Sequence, residues 1–269
     1  MSGSSVLLLV GAILVSTESS RALNFGDRCQ TPKEEPGKCV TIPLCSAITQ
    51  LLPPKDGNVL EVAKHQVRLG EYDTSTKIDC DGDECADPVR DVMIANVIVH
   101  ADYFREGIAY YNDIALLELI EPVEFTDFVQ PICLPIAPEV RQVNYTGMYM
   151  TIAGWGQTLH GGVSTRKQHL YVRLLSNETC VNAFRSLQID IRPTQVCVDG
   201  GGNNLNACRS EAGGPLIRRG DGVSSYQYWY LIGLASFGVE QCRTDGMPVV
   251  YTRLTEHIDW LKDVMSGTI

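Results

Sequence analysis

From residue 59 onward the chain alternates short β-branched and aliphatic runs with turn residues. The runs "HQVRLGEYD", "VMIANVIVH", "DIALLELIEPVEF", "YMTIAGWG", "QHLYVRLLS", "QYWYLIGLAS" and "PVVYTRL" are separated by Gly, Pro and Asp, a pattern that predicts an all-β barrel or sandwich. One helix is predicted, at the end. In "TEHIDWLKDVM", Leu254, Ile258, Leu261 and Met265 recur at helical spacing, with Thr255 placed as N-cap. The chain before residue 59 has another character. Residues 29–45, "CQTPKEEPGKCVTIPLC", are proline-rich and hold three cysteines, but they carry too little apolar material for a core, so such a piece needs covalent staples. "LLPPKDGN" then reads as a linker. At the start, "MSGSSVLLLVGAILVSTESSRA" has an apolar centre at residues 6–15, small polar residues after it and a cut site after Ala22, which predicts a signal peptide rather than a buried N-terminal helix. No Lys or Arg precedes that centre. No later run approaches the ~18 apolar residues of a membrane-spanning helix.

Composition narrows the partners and the compartment. A chain of 269 residues, 44% hydrophobic and 20% charged, can bury a core. The net charge of −10 and the lack of any basic run argue against nucleic acid as a partner. Ten cysteines fit an oxidising compartment, and an even count permits complete pairing. A zinc site is disfavoured, because no C-x-x-C pair occurs. The sequons Asn144-Tyr145-Thr146 and Asn177-Glu178-Thr179 agree with secretion.

The stretch "ACRSEAGGPLI", residues 207–217, has the form of a loop that presents a nucleophile, yet its centre is Ala212. Together with "NDIALLEL", "QPICLP", "TIAGWG", "LIGLASFG" and "PVVYTRL", in chain order and followed by an amphipathic helix, it resembles the chymotrypsin-like serine proteases from residue 67 to the C-terminus. The cysteine-rich segment resembles the beginning of a clip domain, the disulfide module that precedes such proteases in arthropod cascades. "VRLGEYDTSTKIDCDGDECADP" is similar to clip proteases in particular. The resemblance implies an all-β, chymotrypsin-like double antiparallel β-barrel with an incomplete first barrel and a C-terminal helix, preceded by a partial clip module. Its expected divisions are a signal peptide at 1–22, partial clip and linker at 23–57, a remnant of the first barrel at 58–125, and the second barrel with helix at 126–269.

In that family a serine attacks the scissile carbonyl, a histidine takes its proton, an aspartate fixes the histidine tautomer and backbone N–H groups hold the oxyanion. Asp113 in "NDIAL" matches the aspartate. Ala212 occupies the nucleophile position, and an alanine methyl has neither lone pair nor proton to offer. Ser210 stands where the family places an oxyanion-hole glycine, so its hydroxyl is expected to point elsewhere. Glu211 occupies the place of the aspartate that receives a newly cut N-terminus, and no cut site is found to make one. None of the five histidines has the family's context for the base. His65 and His100 precede Asp113 but read as surface or edge residues. Between Cys45 and Val67 the chain spans only about twenty residues, where the family has the rest of the clip domain, the activation site and the strands that carry the base. These absences predict a non-catalytic homologue in a truncated or exon-skipped form.

The resemblance makes Asn206, Ser236, Phe237, Gly238 and Val249 a remnant of the substrate pocket. Asn206 replaces the specificity aspartate of trypsin-like members, and Val249 puts a branched side chain where a glycine is usual. The resemblance further implies the disulfides Cys80–Cys85, Cys180–Cys197 and Cys208–Cys242. That leaves Cys29, Cys39, Cys45 and Cys133 to pair among themselves, to pair with another chain in a disulfide-linked oligomer, or to stay free. Glu71 and Asp73 open a loop resembling the family's calcium loop and are a weak calcium candidate, but solvated surface charge is the favoured reading and no metal is expected. An EF-hand is excluded, since Gly82 falls at the fourth loop position counted from Asp79. No cofactor is implied. The expected partners are proteins of an extracellular protease cascade, with no nucleic acid and no membrane. Two alternatives stay open: an active endopeptidase, if nucleophile and histidine segment exist in another form, and a product without function.

Overall fold

The computed structural model describes residues 66–155, 164–199, 212–220, 229–239 and 247–268, together with the backbone of 6–9 and 13–16. In chain order the strands are β1 (Val6–Leu9), β2 (Ile13–Ser16), β3 (Gln66–Leu69), β4 (Cys80–Asp81), β5 (Glu84–Cys85), β6 (Arg90–Val99), β7 (Phe104–Glu106), β8 (Ala109–Tyr111), β9 (Ala115–Leu119), β10 (Tyr149–Gly154), β11 (Gln168–Arg173), β12 (Gln195–Val198), β13 (Pro215–Arg219), β14 (Trp229–Phe237) and β15 (Val249–Arg253). The helices are α1 (Pro138–Arg141), α2 (Asn177–Phe184) and α3 (Ile258–Met265). The fold is all-β in the chymotrypsin manner, built on two main antiparallel sheets.

The second sheet runs β11-β10-β13-β14-β15-β12. Its ends meet. Just beyond β11, Leu174 bridges Val198 on β12, the Asp199 N–H donates to the Arg173 carbonyl at 2.9 Å, and the Arg173 N–H donates back to the Asp199 carboxylate at 2.8 Å. Six strands thus close on themselves, which removes the free edges. Met150, Ile152, Val172, Val196, Ile232 and Tyr251 fill the interior.

The first sheet runs β2-β1-β9-β6-β3. Because side chains alternate along a strand, β9 feeds two cores. Leu117 and Leu119 enter a cluster with Val67, Leu69, Val92 and Ile94, while Leu116, with Ile114 just before it, packs with Ile217, Leu231, Leu234 and the last helix. The far edge of β9 is taken by β1, in the register Val6↔Leu119 to Leu9↔Leu116, and β2 pairs with β1. This is the apolar run read above as a signal peptide. Its backbone pairs with the edge of β9 over Leu116–Leu119.

Two expectations about helices are corrected. The terminal helix begins at Ile258, after a 3-10 turn over Leu254–Glu256, and its N-cap is His257, with no side-chain capping bond. Thr255 is 5% exposed within that turn, so burial rather than capping fixes it. Ile258, Leu261 and Val264 face the core, each contributing about 1.5–3 kcal/mol by burial. The sequence reading also predicted no other helix, yet α2 spans eight residues. The Ser176 hydroxyl accepts from the Thr179 N–H at 3.1 Å, capping its first turn, while Cys180 and Phe184 are buried at 1% and 0% exposure. One helical turn separates those two positions, too short a period to register in the sequence.

Candidate functional site

Asp113 lies just before β9, where the first sheet meets the second. The Ser236 hydroxyl, near the end of β14, donates to its Oδ2 at 2.6 Å, and the Thr252 hydroxyl on β15 donates to its backbone carbonyl at 2.9 Å. The aspartate is therefore held by two strands of the second barrel. Burial pushes its carboxyl above the ordinary carboxylate range, and the Ser236 hydrogen bond opposes the shift. No histidine donates to this carboxylate among the described residues.

His100 is half-buried and directly follows the end of β6. Its ring packs 5.4 Å from His257 and 5.0 Å from Trp260. His257, on the terminal segment, contacts the Arg253 carbonyl at 2.8 Å through Nδ1 and Asn112 Oδ1 at 3.3 Å through Nε2. Asn112, at φ 47°, immediately precedes Asp113 and donates from Nδ2 to the Asp102 carbonyl at 3.0 Å. His257 thus reaches the Asn112 side chain and His100 packs against His257, and neither ring donates to the Asp113 carboxylate. Burial lowers the proton affinity of both rings. The sequence reading missed His257, since only its spacing from Asn112 through the fold reveals it.

Ala212 is exposed in the turn before β13. The next residues pin that turn to β14: the Gly213 N–H donates to the Ala235 carbonyl at 2.7 Å, and the Ala235 N–H donates to the Gly214 carbonyl at 2.8 Å. Ser236, the partner of Asp113, follows Ala235 directly, so the fold brings Ala212, Ser236 and Asp113 to one place. Ser210, Glu211, Asn206, His65 and the Cys208–Cys242 pair lie outside the described residues.

Of the residues expected to form a pocket remnant, Ser236 and Phe237 are 8% and 7% exposed. The Phe237 ring lies 6.0 Å from Phe184, inside a cluster with Cys180 and Val250. A Cβ placed on Gly238 would meet the Val249 methyls at 3.8 and 3.9 Å. Val249 is itself 3% exposed, and its branches occupy the wall that Gly238 leaves open.

Cys80 pairs with Cys85 and Cys180 with Cys197. Cys133 is disulfide-bonded as well, so it is not a free thiol. Asn144 and Asn177 are both exposed and accessible to modification. The calcium expectation meets a different arrangement. Asp73 accepts from Ser75 Oγ at 2.6 Å and from Arg166 Nε at 2.8 Å, which hold its carboxyl well below the usual range. Glu71 lies 3.5 Å from Arg68 Nη1. The other Glu71 oxygen, Oε1, is buried without a hydrogen-bond partner among the described residues, and no group of three side chains that could hold a metal ion occurs among them.

The Trypsin family model matches residues 59–261, and the chain belongs to the trypsin family of chymotrypsin-like proteins. Within it, the chain is similar to clip-domain proteases. It is 38% identical over 196 residues to CLIP domain-containing serine protease HP8 of Bombyx mori, covering 73% of this chain and 52% of that protein. It is 39% identical over 206 residues to Serine protease ea of Drosophila melanogaster, covering 75% and 52%, and 38% identical over 211 residues to Phenoloxidase-activating factor 1 of Holotrichia diomphalia, covering 77% and 55%. The crystal structure of the Drosophila Grass clip serine protease of the Toll pathway aligns with TM-score 0.64 at 31% identity, over 76% of this chain and 58% of that one. The chain thus spans about half the length of the curated relatives it matches.

Proposed function

We propose that this chain is a secreted, catalytically inactive serine protease homologue that acts by binding proteins in an extracellular proteolytic cascade of the innate immune kind. One observation carries the inactivity: Ala212 stands at the nucleophile position, on the loop pinned beside Ser236 and Asp113. Loss of the nucleophile in a related mechanism costs about a million-fold in turnover. The absence of a histidine donor to Asp113 among the described residues supports the same reading. The cascade assignment rests on the relatives' names, which place them in phenoloxidase activation and the Toll pathway. Secretion rests on the apolar leader at residues 6–15, the sequons and the disulfides. The boundaries 1–22, 23–57, 58–125 and 126–269 belong to this proposal.

The test is labelling of the secreted protein with a fluorophosphonate probe, beside turnover of ester and amide substrates. Neither labelling nor turnover is expected, and Ala212→Ser alone restores neither, because no histidine donates to Asp113 among the described residues. Labelling that disappears on mutating Ser210, or turnover above background in Ala212→Ser, would overturn the reading and restore the endopeptidase alternative.

A further inference from the structure

A cavity of about 940 Å³ opens on the side of the second barrel, between α1, the start of α2, β12 and the end of β15. Neither Asp113, Ser236 nor Ala212 lines it, so it is separate from the protease-like site. Its volume falls in the range of small-molecule sites, about 300–1,000 Å³.

Two arginines stand in its wall, and they differ in one respect. Arg141 is satisfied: Nη1 and Nη2 donate to the two Asp259 carboxylate oxygens at 3.0 and 2.8 Å, and Nε donates to the Thr255 carbonyl at 3.0 Å. Arg253 is not. Its Nη2 donates to the Gln195 carbonyl at 3.2 Å, its Nε is buried without an acceptor, and it makes no ion pair among the described residues. Burial accordingly pushes its guanidinium below the ordinary value, with Glu256 only partly opposing. A desolvated cation without a carboxylate is costly, and an arginine fork is built to take a planar carboxylate. Ile136 and Ile232 give the same cavity an apolar side. Glu256, also in the wall, would repel a polyanion.

We propose that this cavity binds a small organic monoanion, a carboxylate carried on an apolar body, with Arg253 as its receptor. The charge selects the head group, and the isoleucine wall accepts the body. Ligand occupancy supplies a hydrogen-bonded counter-charge, which Glu256 does not, since it makes no ion pair with Arg253 among the described residues.

The test compares phenylacetate with phenylacetamide, its uncharged isostere, for binding to the full secreted protein by titration calorimetry. Phenylacetate is expected to bind at least about tenfold more tightly than the amide. Arg253→Gln should remove that preference by weakening phenylacetate binding. Amide-exchange protection on adding phenylacetate should fall on Gln195 and Arg253, and this arm reads the wild-type protein even where Arg253→Gln fails to fold. Equal binding of acid and amide, acid binding unaltered in Arg253→Gln, or protection confined to other segments would each overturn the proposal.

Discussion

Asp113 keeps one hydroxyl donor, Ser236, and has no imidazolium to balance its charge among the described residues. Its carboxyl is raised by burial, so the folded state favours the neutral acid more than the unfolded chain does. The stabilisation from that protonation is complete below the unfolded value near 3.9 and is lost as pH rises through the higher folded value. Asp113→Asn keeps an acceptor for Ser236 without the charge. It should therefore melt above the wild type at pH 7, the gap closing toward pH 4. Thermal unfolding of both proteins across that range checks this, and a gap that widens on acidification would contradict it. Gly233 carries a purely steric constraint. A Cβ there would lie 2.9 Å from the Thr252 carbonyl oxygen, a backbone atom that cannot swing aside. Gly233→Ala should destabilise by about 1–3 kcal/mol, measured by denaturant unfolding. The Thr252 hydroxyl also holds the Asp113 backbone, so this variant should loosen the protease-like site with the barrel.

At the scale of elements, α2 is fastened twice, by the buried Phe184 and by the Cys180–Cys197 disulfide to β12. Seventeen residues of sequence separation put the loop-closure contribution at about 3 kcal/mol. The double variant Cys180→Ala/Cys197→Ala should lose roughly that much stability, with exchange protection falling first in α2. The β1–β2 hairpin poses the opposite problem. If residues 1–22 are removed on secretion, β9 loses the partner it has over Leu116–Leu119, and its backbone groups on that edge become solvent-accessible. Hydrogen exchange should then show Leu117 and Leu119 amides less protected in a chain beginning at residue 23 than in the full chain. These elements also mark what the sequence could disclose. Strands β3, β6, β9, β10, β11, β14 and β15 fall on or overlap the short β-branched and aliphatic runs, which turn residues set off in the sequence. The helix α2 stayed hidden, since its cap and its two buried positions are local contacts without a repeat. The Asp113 and Ala212 expectations came from motif order, and the fold places Asp113 against Ser236 and the turn after Ala212 against Ala235. The Ser236 and His257 contacts join residues 123 and 145 apart in sequence, and only the folded chain reveals them.

For the whole molecule, the closed second barrel and the first sheet should differ in resistance to proteolysis. The second barrel has six strands joined end to end by the Leu174–Val198 bridge, a buried terminal helix and a disulfide that ties α2 to β12. The first sheet reaches five strands only by including the N-terminal hairpin, and without it three remain. Part of it is nevertheless fastened to the second barrel. Trp155 Nε1 donates to the Tyr72 carbonyl at 3.0 Å, and Arg166 pairs with Asp73 at 2.8 Å. Those ties protect the 70–76 loop but not the segment that links the sheets, where Ile120 is 67% and Phe128 is 46% exposed. Cleavage should therefore begin between residues 120 and 128, releasing a resistant C-terminal fragment that contains the second barrel, while the first sheet degrades. Limited proteolysis followed by non-reducing and reducing mass analysis reads both the cut and the bonding of Cys133. Uniform protection from residue 67 to 125 would show that the first sheet is closed as firmly as the second barrel. A first cut within the second barrel would show that strand closure does not set the order of unfolding in this chain.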